Sequence, residues 1–249
     1  MNVQLIPDRF LAVWTALGGD EFPFPLRYRT SARWEDEHLA NMEAAERWRR
    51  ETPDPALDHA IRTLLTGEVA LEVHGRSADP AAEVSMRAAV HADRAVLADQ
   101  EPPAGAIRLT SVAPGLLADA ILDRLPPVPP GREPARTAPR REVFEPSDPT
   151  AVRRDPSGTT AEALRHLLRR DRSVTGCLRV LRHTPSGYLP SADIGWFDVV
   201  GDGRYLYLPG PDVRILPGTV DVFRRELSGR IERVRRSPQP PPVGALRPY

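Results

Sequence analysis

Six histidines are the residues of this chain best suited to acid–base or metal chemistry. They are His38, His59, His74, His91, His166 and His183. Metal sites usually take several ligands from one helix or turn at short spacing, whereas these histidines are scattered, one to each expected element. The adjacent pair Asp58 and His59 cannot share one face of a helix. We therefore expect surface or core histidines, with no metal centre and no cofactor.

Nucleophiles and cofactor motifs are also scarce. Cys177 is the single cysteine, which excludes an intramolecular disulfide and is consistent with a reducing compartment; in a strand pattern it is interpreted as a small buried hydrophobe. All 34 basic residues are arginine, so lysine-based Schiff-base chemistry is excluded. Dinucleotide, phosphate-loop, nucleophile-elbow and His-Glu-x-x-His patterns are missing. These observations favour a protein that is not an enzyme.

Two charged segments have alternative interpretations. Gly201-Asp202-Gly203 resembles a cation or phosphate loop, but Asp-Gly between two alternating apolar runs is typical of a hairpin turn, which we predict. The last predicted helix carries Arg224, Arg225, Arg230, Arg233, Arg235 and Arg236. This run suggests a nucleic-acid footprint, yet Glu226 and Glu232 interrupt it and the net charge of the chain is zero. A solvated helix face is favoured, and a nucleic-acid-binding regulator is kept as the alternative.

Trp196 and Phe197 are neighbours in a strand pattern, so their side chains point to opposite faces of a sheet. One of them can fill a core beneath helices. The other then lies on the open face, either as a docking residue or covered by the other half of the molecule.

The elements that position these residues are internally duplicated. Each half is predicted to contain a helix, four short antiparallel strands and a further helix, because the connections are too short for parallel crossovers. An apolar-Arg-apolar triplet precedes the last helix of each half, at Ile107-Arg108-Leu109 and Val213-Arg214-Ile215. The predicted fold is α+β, with two pseudo-twofold units forming a central antiparallel sheet with flanking helices.

The predicted boundaries follow from composition. The N-terminal half spans residues 1–125 and the C-terminal half spans 158–236. Between them, 126–157 is rich in Pro and Arg and is expected to be a mobile or extended linker outside the core, while 237–249 is expected to be a disordered tail. Within the first half we also predict a brief strand at 26–28 and a polar loop over 75–82.

Partners and compartment are constrained by charge and hydropathy. A neutral chain has no global field that attracts nucleic acid or anionic lipid. The N-terminus lacks the pattern of a signal peptide, and no run reaches the roughly 18 apolar residues of a membrane span. We expect a cytoplasmic protein, and homodimerisation through open sheet edges stays possible.

Several motifs together resemble one family. They are Leu11-x-x-Trp14-x-x-Leu17-Gly18, Phe22-Pro23-Phe24-Pro25-Leu26, Asp93-Arg94-Ala95-Val96-Leu97, and Trp196-Phe197-Asp198 followed by Asp202-Gly203-Arg204-Tyr205-Leu206. In this order and spacing they look like the EspG family of actinobacterial ESX (type VII) secretion proteins, over nearly the full length.

The resemblance implies a cytosolic, non-enzymatic chaperone that binds a PE-PPE heterodimer, or a related WXG-like helical protein, and keeps it soluble for export. It also implies a partner surface made of the loop after the first strand of the first meander, sheet residues and the C-terminal helices. Carried onto this chain by position, that surface comprises Arg76, Ser77, Asp79, Arg87, Arg179, Arg224, Leu227 and Ile231.

Overall fold

The computed structural model describes residues 1–145 and 159–237. The first half starts with a short strand and three helices, continues with a four-stranded meander and ends with a helix. These elements are β1 (Asn2–Leu5), α1 (Pro7–Ala16), α2 (Glu35–Glu51), α3 (Pro55–Thr66), β2 (Val69–Ser77), β3 (Val84–His91), β4 (Arg94–Gln100), β5 (Ile107–Val112) and α4 (Leu117–Leu122).

The second half repeats this order with two helices in place of three. Its elements are β6 (Arg136–Pro139), α5 (Arg140–Phe144), α6 (Thr160–Arg169), β7 (Arg172–Thr184), β8 (Gly187–Val199), β9 (Gly203–Leu208), β10 (Asp212–Pro217) and α7 (Val220–Arg236). The helix starts carry local signals: Pro55 follows the capping Asp54, and Thr159 with Glu162 forms a capping box.

The ten strands of the described residues form one sheet in the order β1-β5-β4-β3-β2-β7-β8-β9-β10-β6. Neighbouring strands are antiparallel. The two halves meet where β2 pairs with β7, from Val69 opposite Arg182 to Ser77 opposite Val174. In each half the leading strand pairs with the last strand of the meander, so the halves are related by a pseudo-twofold axis at the β2–β7 pair. The predicted α+β fold is confirmed.

The leading strands β1 and β6 are absent from the sequence-based prediction. Each is four residues long and lies at an edge of the sheet, where Pro139 is tolerated because one side of an edge strand forms no ladder. β6 and α5 also fall in the tract expected to be a linker outside the core. That expectation is wrong for 136–144, because Ala138 and Val143 are buried against the second half. Residues 146–157 of that tract, and the tail from 238, lie outside the described residues.

One face of the sheet is covered by the closing helices α4 and α7. Apolar side chains of β2, β3, β7, β8 and β9 pack there against Leu117, Ile121, Phe223 and Leu227. Trp196 belongs to this layer and is 1% exposed, with its ring centroid 6.2 Å from that of Phe223. The indole lies over Gly176, where a Cβ would come within 2.1 Å of the Trp196 ring. Glycine at 176 therefore makes room for the tryptophan.

On the opposite face, the described helices cover the two ends of the sheet. Helices α1 and α3 pack on the strands of the first half, and α5 and α6 pack on the outer strands of the second half. Phe197 is buried beneath this second group, stacked on Tyr205 with ring centroids 5.6 Å apart. Its cover comes from its own half, so Phe197 is neither exposed on the open face nor covered by the other half of the molecule.

No helix within the described residues is long and apolar enough to cross a membrane.

Candidate functional site

Between the two groups of helices, no described element covers the centre of the sheet. We call this strip the open face, and define it by Glu72, His74, Arg76, Cys177, Arg179 and Asp193. These side chains alternate along their strands with Leu71, Val73, Leu178 and Ile194, which point into the core beneath α4 and α7. These polar side chains are partly or fully exposed, since no described helix packs on them.

Ion pairs organise the charge of the open face. Arg179 forms a two-pronged pair with Asp193, with Nε–Oδ1 at 2.9 Å and Nη2–Oδ2 at 3.3 Å. Both side chains stay partly exposed, at 41% and 35%. Glu72 accepts from Arg87 Nη1 at 3.0 Å. Arg76 is exposed and has no ion pair within the described residues, so it adds positive charge to this surface.

His74 and Cys177 face each other across the β2–β7 pair. Burial lowers the pKa of His74, and the guanidiniums of Arg179 and Arg76 lower it further, so the imidazole is neutral at neutral pH. Burial likewise raises the pKa of the Cys177 thiol, which disfavours a thiolate. Cys177 is half-buried on the open face rather than a core residue as expected.

Phe24 forms one rim of the open face. Its ring lies edge-on to the imidazole of His74, with centroids 5.3 Å apart, and the side chain is 55% exposed. Arg87 holds this segment by donating to the Phe24 carbonyl at 3.0 Å. Gln100 holds it as well, because its amide both accepts from the Arg27 N–H and donates to the Arg27 carbonyl. The predicted strand at 26–28 is wrong, because the Arg27 backbone forms its hydrogen bonds with the Gln100 side chain and not with a neighbouring strand.

On its other side the open face is bordered by an apolar groove of about 360 Å³, which lies between α5, α6 and the sheet. Phe144, Leu168, Phe197 and Tyr207 line it, together with Thr175 and Gly195 at the border of the open face. Phe144 is 51% exposed. A second cavity of about 310 Å³ shares Phe144 and Leu168 with this groove and is bordered by Arg165 and Arg169.

The expected partner residues of the β2–β3 connection lie at one end of the open face. β2 runs to Ser77, so the loop is shorter than the predicted 75–82. The Ser77 hydroxyl donates to the Ser173 carbonyl, and Asp79 caps a short turn at Pro80–Ala82. Arg87 differs from its expected role, because it is 7% exposed and contacts Phe24, Glu72 and the ring of Tyr188. Arg87 therefore holds Phe24 in place and does not itself form part of the exposed surface.

The expected partner residues of the C-terminal helix lie on the other side of the sheet. Arg224 pairs with Asp119 and Asp221 at the surface of α4 and α7. Leu227 and Ile231 are 0% and 4% exposed in the core, where their side chains offer no surface to a partner. Of the six arginines on α7, four pair with carboxylates: Arg224, Arg230, Arg235 and Arg236.

The Gly201-Asp202-Gly203 segment is a hairpin turn, as predicted. It joins β8 to β9, with Gly201 at φ +72. The Asp202 carboxylate also accepts from the Arg132 N–H at 2.9 Å, from the Tyr205 hydroxyl at 2.9 Å and from Arg170. Burial raises the pKa of Asp202, but these hydrogen bonds outweigh it and hold the pKa below its ordinary value. Asp202 therefore fastens the turn to the residues before β6 and after α6.

Sequence reasoning missed Phe24, Gln100 and Phe144. The Phe-Pro alternation at 22–26 is a visible signal for Phe24, while Phe144 lies in the tract interpreted as a linker. Within 1–145 and 159–237, no cluster of three His, Cys, Asp or Glu side chains is arranged to hold a metal ion.

Comparison with known proteins gives one family and one fold. The model of the EspG family matches residues 7–229. No curated protein matches the chain. Among solved structures, the chain is similar to the Mycobacterium tuberculosis type VII secretion system chaperone EspG5 in complex with a PE25-PPE41 dimer, with a TM-score of 0.64. That likeness covers 93% of this chain and 96% of the other, and at 14% identity it supports the fold alone.

Proposed function

The chain belongs to the EspG family, and from this membership we propose that it is a type VII secretion chaperone. Its client is a helical protein, a PE-PPE heterodimer or a related WXG-like protein, that it keeps soluble in the cytoplasm for export. It acts by binding, without catalysis. The EspG5 chaperone, which shares the fold, forms a complex with a PE-PPE dimer.

The observation that carries the proposal is the open face with its two aromatic rims. The strip of sheet that no described helix covers, bordered by the exposed rings of Phe24 and Phe144, offers a surface to the end of a helical hairpin. Aromatic side chains at the rims supply apolar contact area, and the paired charges of Arg179 and Asp193 supply orientation.

The proposal assigns contacts with the client to Arg76, Arg179 and the loop at Ser77 and Asp79. Arg87 acts by holding Phe24 in place. Arg224 belongs to the opposite face of the sheet and is not part of this surface.

Co-expression tests the proposal. The tagged protein is produced with PE-PPE or WXG-like proteins of the same genome, and soluble complexes are recovered by affinity and size-exclusion chromatography. Recovery of a stoichiometric complex supports the chaperone. If none of these helical proteins is recovered with it, the proposal fails.

A matched pair of variants locates the surface. Arg179 and Arg224 are 41% and 43% exposed, each pairs with aspartate, and they lie on opposite faces of the sheet. Arg179→Ala is expected to weaken client binding about tenfold, as for an arginine near the centre of an interface, and Arg224→Ala to leave it unchanged. Equal effects of the two changes, or loss with Arg224→Ala alone, would place the client elsewhere.

A further inference from the structure

The apolar groove beside the open face is bordered by arginines that form no ion pair with another described residue. These are Arg140, Arg165, Arg169 and Arg172, and we call them the arginine rim. Arg165 and Arg169 border the second cavity, which has Phe144 and Leu168 in common with the groove. Arg172 lines the groove itself. The guanidinium of Arg140 lies 5.0 Å from the centroid of the Phe144 ring.

The hydrogen bonds of the rim go to neutral groups. Arg140 donates to the Tyr207 hydroxyl at 3.4 Å, and Arg165 Nε donates to the Ala161 carbonyl at 3.4 Å. Arg172 donates to the Leu168 carbonyl and lies over the ring of Phe197. No ion pair between described residues includes an arginine of the rim. Arg179 on the open face and the buried Arg87 next to it are, by contrast, each paired with a carboxylate, whereas Arg76 resembles the rim in having no ion pair within the described residues.

The guanidiniums of the rim have no carboxylate partner among the described residues, and Arg172 is in addition desolvated. Burial lowers the pKa of Arg172, because a guanidinium surrounded by apolar groups loses hydration without gaining an anion. Planar guanidiniums beside an apolar surface bind carboxylates through paired hydrogen bonds, while the aromatic rings accept an aliphatic side chain. The groove and its rim are thus complementary to an apolar residue flanked by acidic ones.

Resting on the proposed function, we propose that the groove at Phe144 receives an apolar side chain of the client helix and that the arginine rim binds acidic residues one turn to either side of it. The client is then an amphipathic helix with a glutamate- or aspartate-flanked apolar stripe. Thr175 and Gly195 line the groove at the border of the open face, so one helical tip can contact both surfaces. This surface sets which clients are accepted, through charge as well as shape.

Two fluorescent helical peptides test the charge preference with the full-length protein. Both have about 18 residues, roughly five turns, with a leucine stripe; one has glutamates flanking the stripe and the other has lysines at the same positions. By fluorescence anisotropy, the acidic peptide is expected to bind at least about tenfold tighter, with affinity that falls as salt rises. Absence of binding, or equal binding of the two peptides, would overturn the proposal.

Variants assign the binding to the groove. The double variant Arg165→Glu/Arg169→Glu changes exposed or half-exposed side chains and should reverse the preference between the peptides. Phe144→Ala should weaken both peptides to a similar degree. Arg214→Glu, an exposed arginine on the opposite face, is the control and should change neither. Unaltered preference in the double variant contradicts the assignment.

Other occupants give other results. A twelve-nucleotide single strand that displaces the acidic peptide equally well would make the rim a general polyanion surface. A concentration-dependent dimer in sedimentation experiments, lost in the double variant, would make the occupant a second copy. Either result overturns the proposal. If a co-purified client binds wild type and the double variant equally, the chaperone function is supported and the role of the arginine rim is rejected. If the acidic peptide binds but no client is co-purified, only the chaperone function is rejected.

Discussion

Asp198 and Arg204 form an ion pair inside the second half of the protein, opposite each other on β8 and β9. The guanidinium of Arg204 donates two hydrogen bonds to the carboxylate of Asp198, at 2.7 Å and 2.8 Å. The Asp198 side chain is 2% exposed and the Arg204 side chain is 7% exposed. The backbone of Arg204 also binds the chain before β6, accepting from the Gly131 N–H and donating to the Pro129 carbonyl. The pair thus stands where the β8–β9 hairpin holds the segment leading to the edge strand.

Asp198→Asn is expected to lower the free energy of unfolding by about 3 kcal/mol, because it leaves a buried guanidinium without a counter-charge. Denaturation in urea measures the change. Asp193→Asn is the matched control, since the Arg179–Asp193 pair has the same two-pronged geometry at a partly exposed site and should cost less than about 1 kcal/mol. Similar losses for the two variants would show that burial does not set the cost.

Gly176→Ala is expected to destabilise the protein by about 1–3 kcal/mol, because the new methyl group overlaps the buried indole of Trp196. Gly229→Ala is the comparison. Gly229 lies inside α7 with nothing within 4 Å of its added Cβ, so alanine there should stabilise by about 0.5–1 kcal/mol. Thermal unfolding separates the two, and a neutral Gly176→Ala would mean that the tryptophan can shift at little cost.

The Asp202 carboxylate should make stability depend on acid pH. Its pKa lies below the ordinary value in the folded protein, so the folded state favours the ionised form. This stabilisation is present above the unfolded pKa and is lost as pH falls through the folded pKa. Asp202→Asn is therefore expected to be destabilising at pH 7 and to approach wild type in strong acid, in urea titrations across that range. Asp93→Asn, in the β3–β4 turn, is the control for placing an amide in a hairpin. A difference in unfolding free energy between Asp202→Asn and wild type that does not change with pH would contradict the prediction.

Helix α2 should exchange its amide hydrogens much faster than α7. Both helices have 17 residues, but α2 buries only Ala45 whereas α7 buries Phe223, Leu227, Ile231 and Val234. Few buried contacts mean a low free energy of local opening. Hydrogen–deuterium exchange with mass spectrometry should show α2 exchanging at least about tenfold faster, and equal protection of the two helices would refute this account.

The meander strands and most helices could be predicted because alternation and helical spacing leave a direct trace in the chain. The leading strands could not: Asn2–Leu5 and Arg136–Pro139 are too short for a period to be recognised, and their place is decided by partners far along the chain. The cover of Phe197 was also hidden, because it comes from α5, which lies inside the Pro- and Arg-rich tract, and from α6, which follows that tract.

The candidate surface was predictable only in part. Arg76 and Arg179 were placed by resemblance, and both lie on the open face. Leu227 and Ile231 were placed in the same way, but the spacing that makes α7 amphipathic turns them into the core. The position of Phe24 depends on hydrogen bonds from Arg87 and Gln100, two buried side chains on separate strands. No local sequence pattern predicts such contacts.

Joining the halves through β2 and β7 has a consequence for synthesis. Each hairpin pairs residues close in the chain, whereas the β2–β7, β1–β5 and β6–β10 pairs close long loops and form more slowly. When the first half leaves the ribosome, β2 has a neighbour on one side only. Until β7 has been translated, its other edge is a template on which nascent chains can pair with one another, and the interval before translation of the second half is when this protein is most exposed to aggregation.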